Sequence, residues 1–332
     1  NCQKITTLYP MPRRNGNISF IGQSYSGNAL TLCEMRGSDG NINFIFTFND
    51  KWSGGNQFAA TETPDGFLHV FKNGHTTPAN WNYTNVSKTY TQSTTINLLT
   101  NRSLSGISAA SSLNGTVYAT ITELVPNSRH VLWFIRMDNN TKAFSQPKVI
   151  ANYSDMNVSE AEIVVDSATS NLFIFFDNFT YSFNANTFCS VIASVDGGNT
   201  WSQRINLSSA NCLKPEPAGR FAWVNGLNST KRPYLDFVYY NGSITTTGYL
   251  MYDSLPISLV QITDVIPVQV IRDVDLVKGK TTLVRVNVTY NSFFLPQANV
   301  TVKLFFDGQL RNSTSKIMNN NTEEKFNLFF VP

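Results

Sequence analysis

The chain reads as short apolar runs cut by turn formers. "NINFIFTF" (41–48), "TVYATITEL" (116–124), "HVLWFIRM" (130–137), "NLFIFFDNF" (171–179), "CSVIASVD" (189–196) and "PYLDFVYY" (233–240) are rich in β-branched and aromatic residues. Gly, Asn, Pro or Asp bounds each run, which is the signature of β-strands. No stretch carries a convincing helical period. After Asp264 the pattern turns to alternation, with Val284, Val286 and Val288 on one strand face and Val300, Val302 and Leu304 on another, ahead of an Asp307–Gly308 turn. The apolar run "KFNLFFVP" ends the sequence.

The strands repeat. A turn leading into an aromatic-rich strand recurs in "SGNALTLCEM", "PDGFLHVF", "LNGTVYAT", "TSNLFIFF" and "KRPYLDFVYY". Their strands start at 29, 67, 116, 172 and 234, so successive starts lie 38, 49, 56 and 62 residues apart. Four strands with their turns need roughly 40 to 50 residues, the period of a β-propeller blade, and a sandwich does not repeat at that spacing.

Composition narrows the setting. With 332 residues, 42% of them hydrophobic and 13% aromatic, the chain can bury sizeable cores. Only 14% of residues are charged, the net charge is +3, and the basic residues fall in scattered pairs such as Arg13 and Arg14. That distribution argues against a nucleic-acid surface. No window approaches a membrane-spanning apolar run, and the opening at Asn1, without a leader, reads as mature or excerpted protein.

Asparagine usage leads to the expectation of an extracellular chain. Its 38 Asn and 64 Ser plus Thr would generate about 7 Asn-x-Ser/Thr acceptors by chance, yet there are sixteen. They begin at Asn17, Asn82, Asn85, Asn101, Asn114, Asn139, Asn152, Asn157, Asn178, Asn206, Asn228, Asn241, Asn287, Asn299, Asn312 and Asn320. Heavy N-glycosylation is the expectation. Cys2, Cys33, Cys189 and Cys212 have no zinc spacing with His69, His75 or His130, and the simplest pairing is Cys2 to Cys33 and Cys189 to Cys212. Both bridges require an oxidising compartment.

The stretch "SVDGGNTW" (194–201) gives the most specific signal. Ser194, Asp196, Gly198, Thr200 and Trp201 fill every defined position of Ser-x-Asp-x-Gly-x-Thr-Trp, so this segment resembles the Asp-box of the sialidase-like β-propellers. In such a turn the Asp accepts backbone N–H bonds, the glycines supply positive φ, and the Trp folds back between blades. A degenerate relative lies in "MDNNTKAFSQP" (137–147), with Asp138 and Phe144 in the two roles, and "NDKWS" (49–53) is a weaker third. Residues 265–332 resemble the small immunoglobulin-like repeats of archaeal and bacterial surface proteins. A full sandwich takes about 100 residues and seven strands, so this one is expected to be incomplete, continued by further chain or completed by a partner strand.

In the resembled family the Asp-box lies on the outer rim, away from the central cleft, so it implies fold and leaves activity open. A sialidase site implies three arginines around the substrate carboxylate, a Tyr–Glu nucleophile pair and an Asp acid/base. The family's Phe/Tyr-Arg-Ile-Pro motif is missing; Arg13 and Arg14 in "YPMPRRNG" stand nearby with different neighbours. Glu160, Glu162, Glu216, Arg220, Tyr249 and Tyr252 are the remaining candidates, with Arg220, Glu216 and Tyr252 nearest to a catalytic set. There is no Gly-x-Ser-x-Gly elbow and no phosphate-binding glycine loop, and "DVD" (273–275) reads as solvated acids. Neither a metal nor a cofactor is assigned.

The expectation is an all-β chain: a five- or six-bladed sialidase-like propeller over 1–264, then a partial immunoglobulin-like sandwich over 265–332. Its role would be attachment, through a surface glycan or a protein receptor, on a cell or virion surface. Other copies or chains would associate through the incomplete C-terminal domain. A secreted sialidase-type hydrolase is the alternative.

Overall fold

A computed structural model gives the architecture. It describes the chain apart from residues 1–4, 14, 25–28, 52–57, 74–78, 88, 90, 92–95, 103, 126–128, 153–156, 180–186, 208–210, 219–233, 243–247, 257–258, 269–277, 293–296 and 332. Every regular element among the described residues is a β-strand, and no helix is long and apolar enough to cross a membrane.

Four antiparallel meanders of four strands follow one another. The first comprises β1 (Ile5–Pro12), β2 (Ile18–Ser24), β3 (Ala29–Met35) and β4 (Ile42–Lys51). The second is β5 (Phe58–Glu62), β6 (Leu68–Asn73), β7 (Ala79–Val86) and β8 (Ile96–Arg102). The third holds β9 (Leu104–Ser111), β10 (Val117–Val125), β11 (Arg129–Met137) and β12 (Lys148–Ala151). The fourth holds β13 (Asn157–Val165), β14 (Leu172–Phe179), β15 (Thr187–Ser194) and β16 (Ile205–Asn206). A fifth sheet contains β17 (Cys212–Pro217), β18 (Tyr234–Asn241) and β19 (Tyr249–Pro256). The second strands begin at Ile18, Leu68, Val117, Leu172 and Tyr234, so the spacing is 50, 49, 55 and 62 residues. Ala29, the first start in the sequence repeat, opens a third strand instead, which is why the first interval came out short.

The chain divides into two compact units, Asn1–Thr230 with Asp236–Asp253, and Lys231–Leu235 with Ser254–Pro332. In the first unit the opening strands of successive sheets lie against one another: β1 on β5, β5 on β9, β9 on β13 and β13 on β17. Each interior sheet therefore buries both faces. On β5, Phe58 and Ala60 join a core with Met11, Ile21, Leu32 and Phe48, while Ala59 between them joins the next core with Trp81, Tyr83, Ala109 and Ile135. On β9, Ala109 and Ala110 likewise serve opposite cores. Burial on both faces removes the alternation of a half-exposed strand, which explains runs as uniformly apolar as Leu172–Phe176. Each such Leu or Phe contributes about 1.5–3 kcal/mol on leaving water.

The turn from first to second strand is built the same way in the first three meanders, while the fourth closes a turn one residue longer between Asp166 and Asn171, with Ser170 at φ of 61° in place of the glycine. Thr63 donates its N–H to Phe67 O and accepts from the Gly66 N–H, and the Ser112–Thr116 turn repeats both bonds with Gly115. Gly16, Gly66 and Gly115 have φ of 83°, 84° and 85°, the left-handed region where a glycine carries no steric cost. The Cys189–Cys212 disulfide then joins β15 to β17 across a Cα–Cα distance of 5.3 Å, tying the fourth sheet to the fifth. Closing a loop of that size contributes about 3 kcal/mol in the chain-entropy account. Cys33 is also disulfide-bonded; Cys2 lies outside the described residues.

In the second unit, β20 (Leu259–Val268), β21 (Thr282–Asn291) and β24 (Thr322–Phe330) form one antiparallel sheet, and β22 (Gln297–Phe306) and β23 (Gln309–Asn319) a hairpin. Val284, Val286, Val288 and Tyr290 of β21 pack with Val300, Met318, Phe326 and Leu328. Asp307 and Gly308 turn the hairpin with φ of 53° and 75°, a type I′ geometry whose twist suits the flanking strands. Val260, Ile262 and Val265 of β20 stand opposite Tyr290, Val288 and Val286, hence on the core side of the sheet. They nevertheless remain 48%, 57% and 53% exposed.

Candidate functional site

The Ser194–Trp201 turn joins the third strand of its meander to the fourth. Asp196 sits at its centre: the Thr200 N–H donates to Oδ1 at 2.9 Å and to Oδ2 at 3.0 Å, the Thr200 hydroxyl to Oδ2 at 2.6 Å, and the Ser194 hydroxyl to Oδ1 at 2.8 Å. The Ser194 Oγ in turn accepts the Gly198 N–H at 2.8 Å. Desolvation acts to raise the Asp196 pKa, but the bonds from Thr200, Ser194 and the Asn199 N–H outweigh it and hold the carboxyl at about 2. Gly198 has φ of 92°, and a Cβ there would collide with the Phe134 ring. Trp201 meets the same Phe134 edge-on, with centroids 5.1 Å apart, so the turn clamps the third meander to the fourth.

The equivalent turn one meander earlier uses the same chemistry. Asp138 Oδ1 accepts the Asn140 and Thr141 N–H groups at 2.9 Å each, and these bonds, Thr141 first, lower its pKa. Phe144 packs edge-on against Tyr83 of the second meander at 4.6 Å. Lateral ties accompany both turns: Arg136 donates to Gly197 O at 3.2 Å, and Lys142 lies 3.5 Å from Asp65. Of "NDKWS", residues Asn49–Lys51 close β4, and Trp52 lies outside the described residues.

The catalytic candidates are placed unevenly. Arg13 is buried, with Nε 3.0 Å from Glu62 Oε1 and Nη1 donating to Ser19 Oγ at 3.0 Å, a structural tie between the first two meanders. Glu162 Oε2 accepts from Ser108 Oγ at 2.6 Å, joining the third meander to the fourth. Tyr252 donates its hydroxyl to Asp236 Oδ1 at 2.8 Å. Glu216, exposed on β17, stands opposite Val238 on β18, and by strand alternation Val238 shares a face with Asp236. Glu216, Asp236 and Tyr252 thus gather on one face of the fifth sheet. Tyr249 is exposed on β19. Arg14, Arg220, His75, the DVD acids and Asn228 lie outside the described residues, as do the side chains of Glu160, His130, Asn101 and Asn157. Among the described residues no group of three or more His, Cys, Asp or Glu could hold a metal ion.

A buried polar chain that sequence reading missed runs through the second meander. Tyr83 O–H lies 2.7 Å from His69 Nδ1, His69 Nε2 lies 3.0 Å from Thr63 Oγ1, and Thr63 donates to Asp65 Oδ1 at 2.5 Å. Because the Thr63 hydroxyl donates to Asp65, it accepts from His69, which fixes the Nε2–H tautomer and leaves Nδ1 to accept from Tyr83. Burial drives the His69 pKa down to about 3 and raises that of Tyr83. A lone histidine in an apolar strand gives no local sign of these partners.

No protein-family model and no curated protein matches the chain. Solved structures do resemble it. The BP39L lectin from Burkholderia pseudomallei superposes with a TM-score of 0.53 and 9% identity over 75% of this chain and 66% of its own, just under two thirds of the lectin's length. A protein of unknown function from Dyadobacter fermentans gives a TM-score of 0.51 at 10% identity over 96% of both chains. At these identities the likeness concerns fold alone. With the successive meanders, it places the chain among the all-β folds of β-propeller type.

Proposed function

We propose that the chain is an extracellular, N-glycosylated surface protein whose non-catalytic propeller head attaches to a surface glycan or a protein receptor. The head is a five- or six-bladed sialidase-like propeller that ends at about residue 253 rather than 264, with Ser194–Trp201 as its Asp-box. The second unit, from about residue 254 and including β20, is an immunoglobulin-like domain whose remaining strands come from further chain or from a partner. The observation that carries the non-catalytic reading is the commitment of Arg13, the described arginine nearest in sequence to where the resembled family carries its first arginine, to a buried pair with Glu62. A guanidinium held there cannot also grip a substrate carboxylate. The fold shared with a lectin supports a glycan as ligand, and the disulfide supports an oxidising compartment. The uncovered strip of Val260, Ile262 and Val265 supports completion by a partner strand.

A hydrolase is the second reading, because the Tyr252 hydroxyl 2.8 Å from Asp236 is an arrangement that can activate a phenol. One experiment separates the two. The disulfide-intact chain is applied to an array of immobilised glycans, and the soluble phase is assayed for released sugar. Retention without release is expected. Sugar release lost on Tyr252→Phe would establish the hydrolase instead.

A further inference from the structure

The sixteen acceptor motifs are alike in sequence, but the fold treats their asparagines differently. A glycan is joined to Nδ2, so that atom must reach solvent with room for a bulky sugar beyond it. Asn178 on β14 fails on both counts. It is 1% exposed, and its Nδ2 donates to Ser190 Oγ at 2.5 Å on the neighbouring strand. The Ser190 hydroxyl passes its own hydrogen to Asn206 Oδ1 at 3.0 Å. One serine therefore links two acceptor asparagines, and the link sorts them. It holds the nitrogen of Asn178 inside the sheet, while Asn206, exposed on β16 and bound through its oxygen, keeps its nitrogen free of that bond.

Among the described residues three further acceptors are exposed. Asn114 accepts the Ser112 hydroxyl and the Thr116 N–H on its Oδ1, leaving Nδ2 uninvolved in those turn bonds. Asn152 follows β12. Asn299 on β22 stands opposite Ile317, which is 68% exposed on the outer face of the hairpin. A sugar at Asn299 would lie over that isoleucine.

We propose that Asn114, Asn152, Asn206 and Asn299 carry glycans, that Asn178 is a concealed acceptor motif whose amide is an interstrand tie, and that the Asn299 glycan closes the outer face of the hairpin to partners. This rests on the glycoprotein reading above.

The test uses the full chain secreted from a glycosylating host, with intact mass as the readout. Ser208→Ala destroys the motif at Asn206 without touching the asparagine, and Thr180→Ala does the same for Asn178. The first change should remove the mass of one glycan, and the second should leave the glycan mass unchanged. Peptide mapping should find sugar at Asn114, Asn152 and Asn299. Loss of a glycan with Thr180→Ala, or sugar missing from any of the four exposed sites while others carry it, overturns the assignment and leaves the glycoprotein reading standing. A wild-type mass equal to the bare 37.1 kDa chain overturns both.

Discussion

His69 offers a test that isolates one buried group. It is fully enclosed, neutral, and hydrogen-bonded at both nitrogens, with a folded pKa of about 3 against the ordinary 6.5. Between those values the unfolded chain binds a proton that the folded chain refuses, so stability is complete above about pH 6.5 and declines as pH falls toward 3. Each unit of pH within the window costs about 1.4 kcal/mol. From pH 7 to pH 5 the loss assigned to this side chain is about 2 kcal/mol, and by pH 4 it is about 3 kcal/mol. Urea unfolding of the wild type and of His69→Gln at each pH measures it, because the carboxylates contribute equally to both proteins and cancel in the difference. The variant should start less stable at pH 7, having lost part of the Tyr83–Thr63 network, and then show the shallower decline. Parallel pH profiles would refute the reasoning, since they would mean that His69 titrates alike in both states.

Two further outcomes concern the joints between meanders. Gly198→Ala should destabilise by about 2 kcal/mol or more, because a left-handed backbone and contact with Phe134 both oppose the added carbon; thermal unfolding measures this, and a neutral result would place the Phe134 ring elsewhere. Arg13→Met should cost about 3–5 kcal/mol by removing the buried cation paired with the Glu62 carboxylate, while Arg13→Met with Glu62→Met should recover most of the loss. Equal losses in the single and double variants would show that the pair is not coupled.

The middle strands of the third and fourth meanders were legible because their signals are local. The runs read as strands over 116–124, 130–137, 171–179 and 189–196 correspond to β10, β11, β14 and β15. The Asp307–Gly308 turn needed only two residues to announce it. The inner strands β5 and β9 gave no such sign. "FAATE" and "LSGISAAS" are small and polar, poor in the β-branched and aromatic residues that mark a strand. Their position explains the choice: Ala59, Ala60, Ala109 and Ala110 are fully buried where neighbouring sheets meet, and a larger side chain would hold the sheets apart. The grouping of Glu216, Asp236 and Tyr252 was only half visible, because Asp236 lies inside an apolar run and becomes a partner only once β17, β18 and β19 are set side by side.

The polar ties between meanders follow a rule that local motifs cannot reveal. Thr61 donates to Ser111, 50 residues away, and Ser108 donates to Glu162, 54 residues away. Both separations equal about one repeat, because neighbouring first strands occupy equivalent places in successive sheets. A chain of this kind therefore assembles its buried polar contacts from residues one period apart, each contributed by a different sheet. Any ligand site near the inner strands must be assembled in the same way, with single residues from several sheets converging. Glu162 illustrates the consequence: it stands on an inner strand, as a catalytic carboxylate would, but its partner one repeat back is Ser108, so its observed work is to hold two sheets together. Ser108→Ala should then lower stability by about 1–2 kcal/mol, the loss of a buried hydrogen bond to a charged group, and leave retention on the glycan array unchanged. Loss of retention in a protein that still unfolds at the wild-type urea midpoint would instead make the Ser108–Glu162 pair part of the binding site.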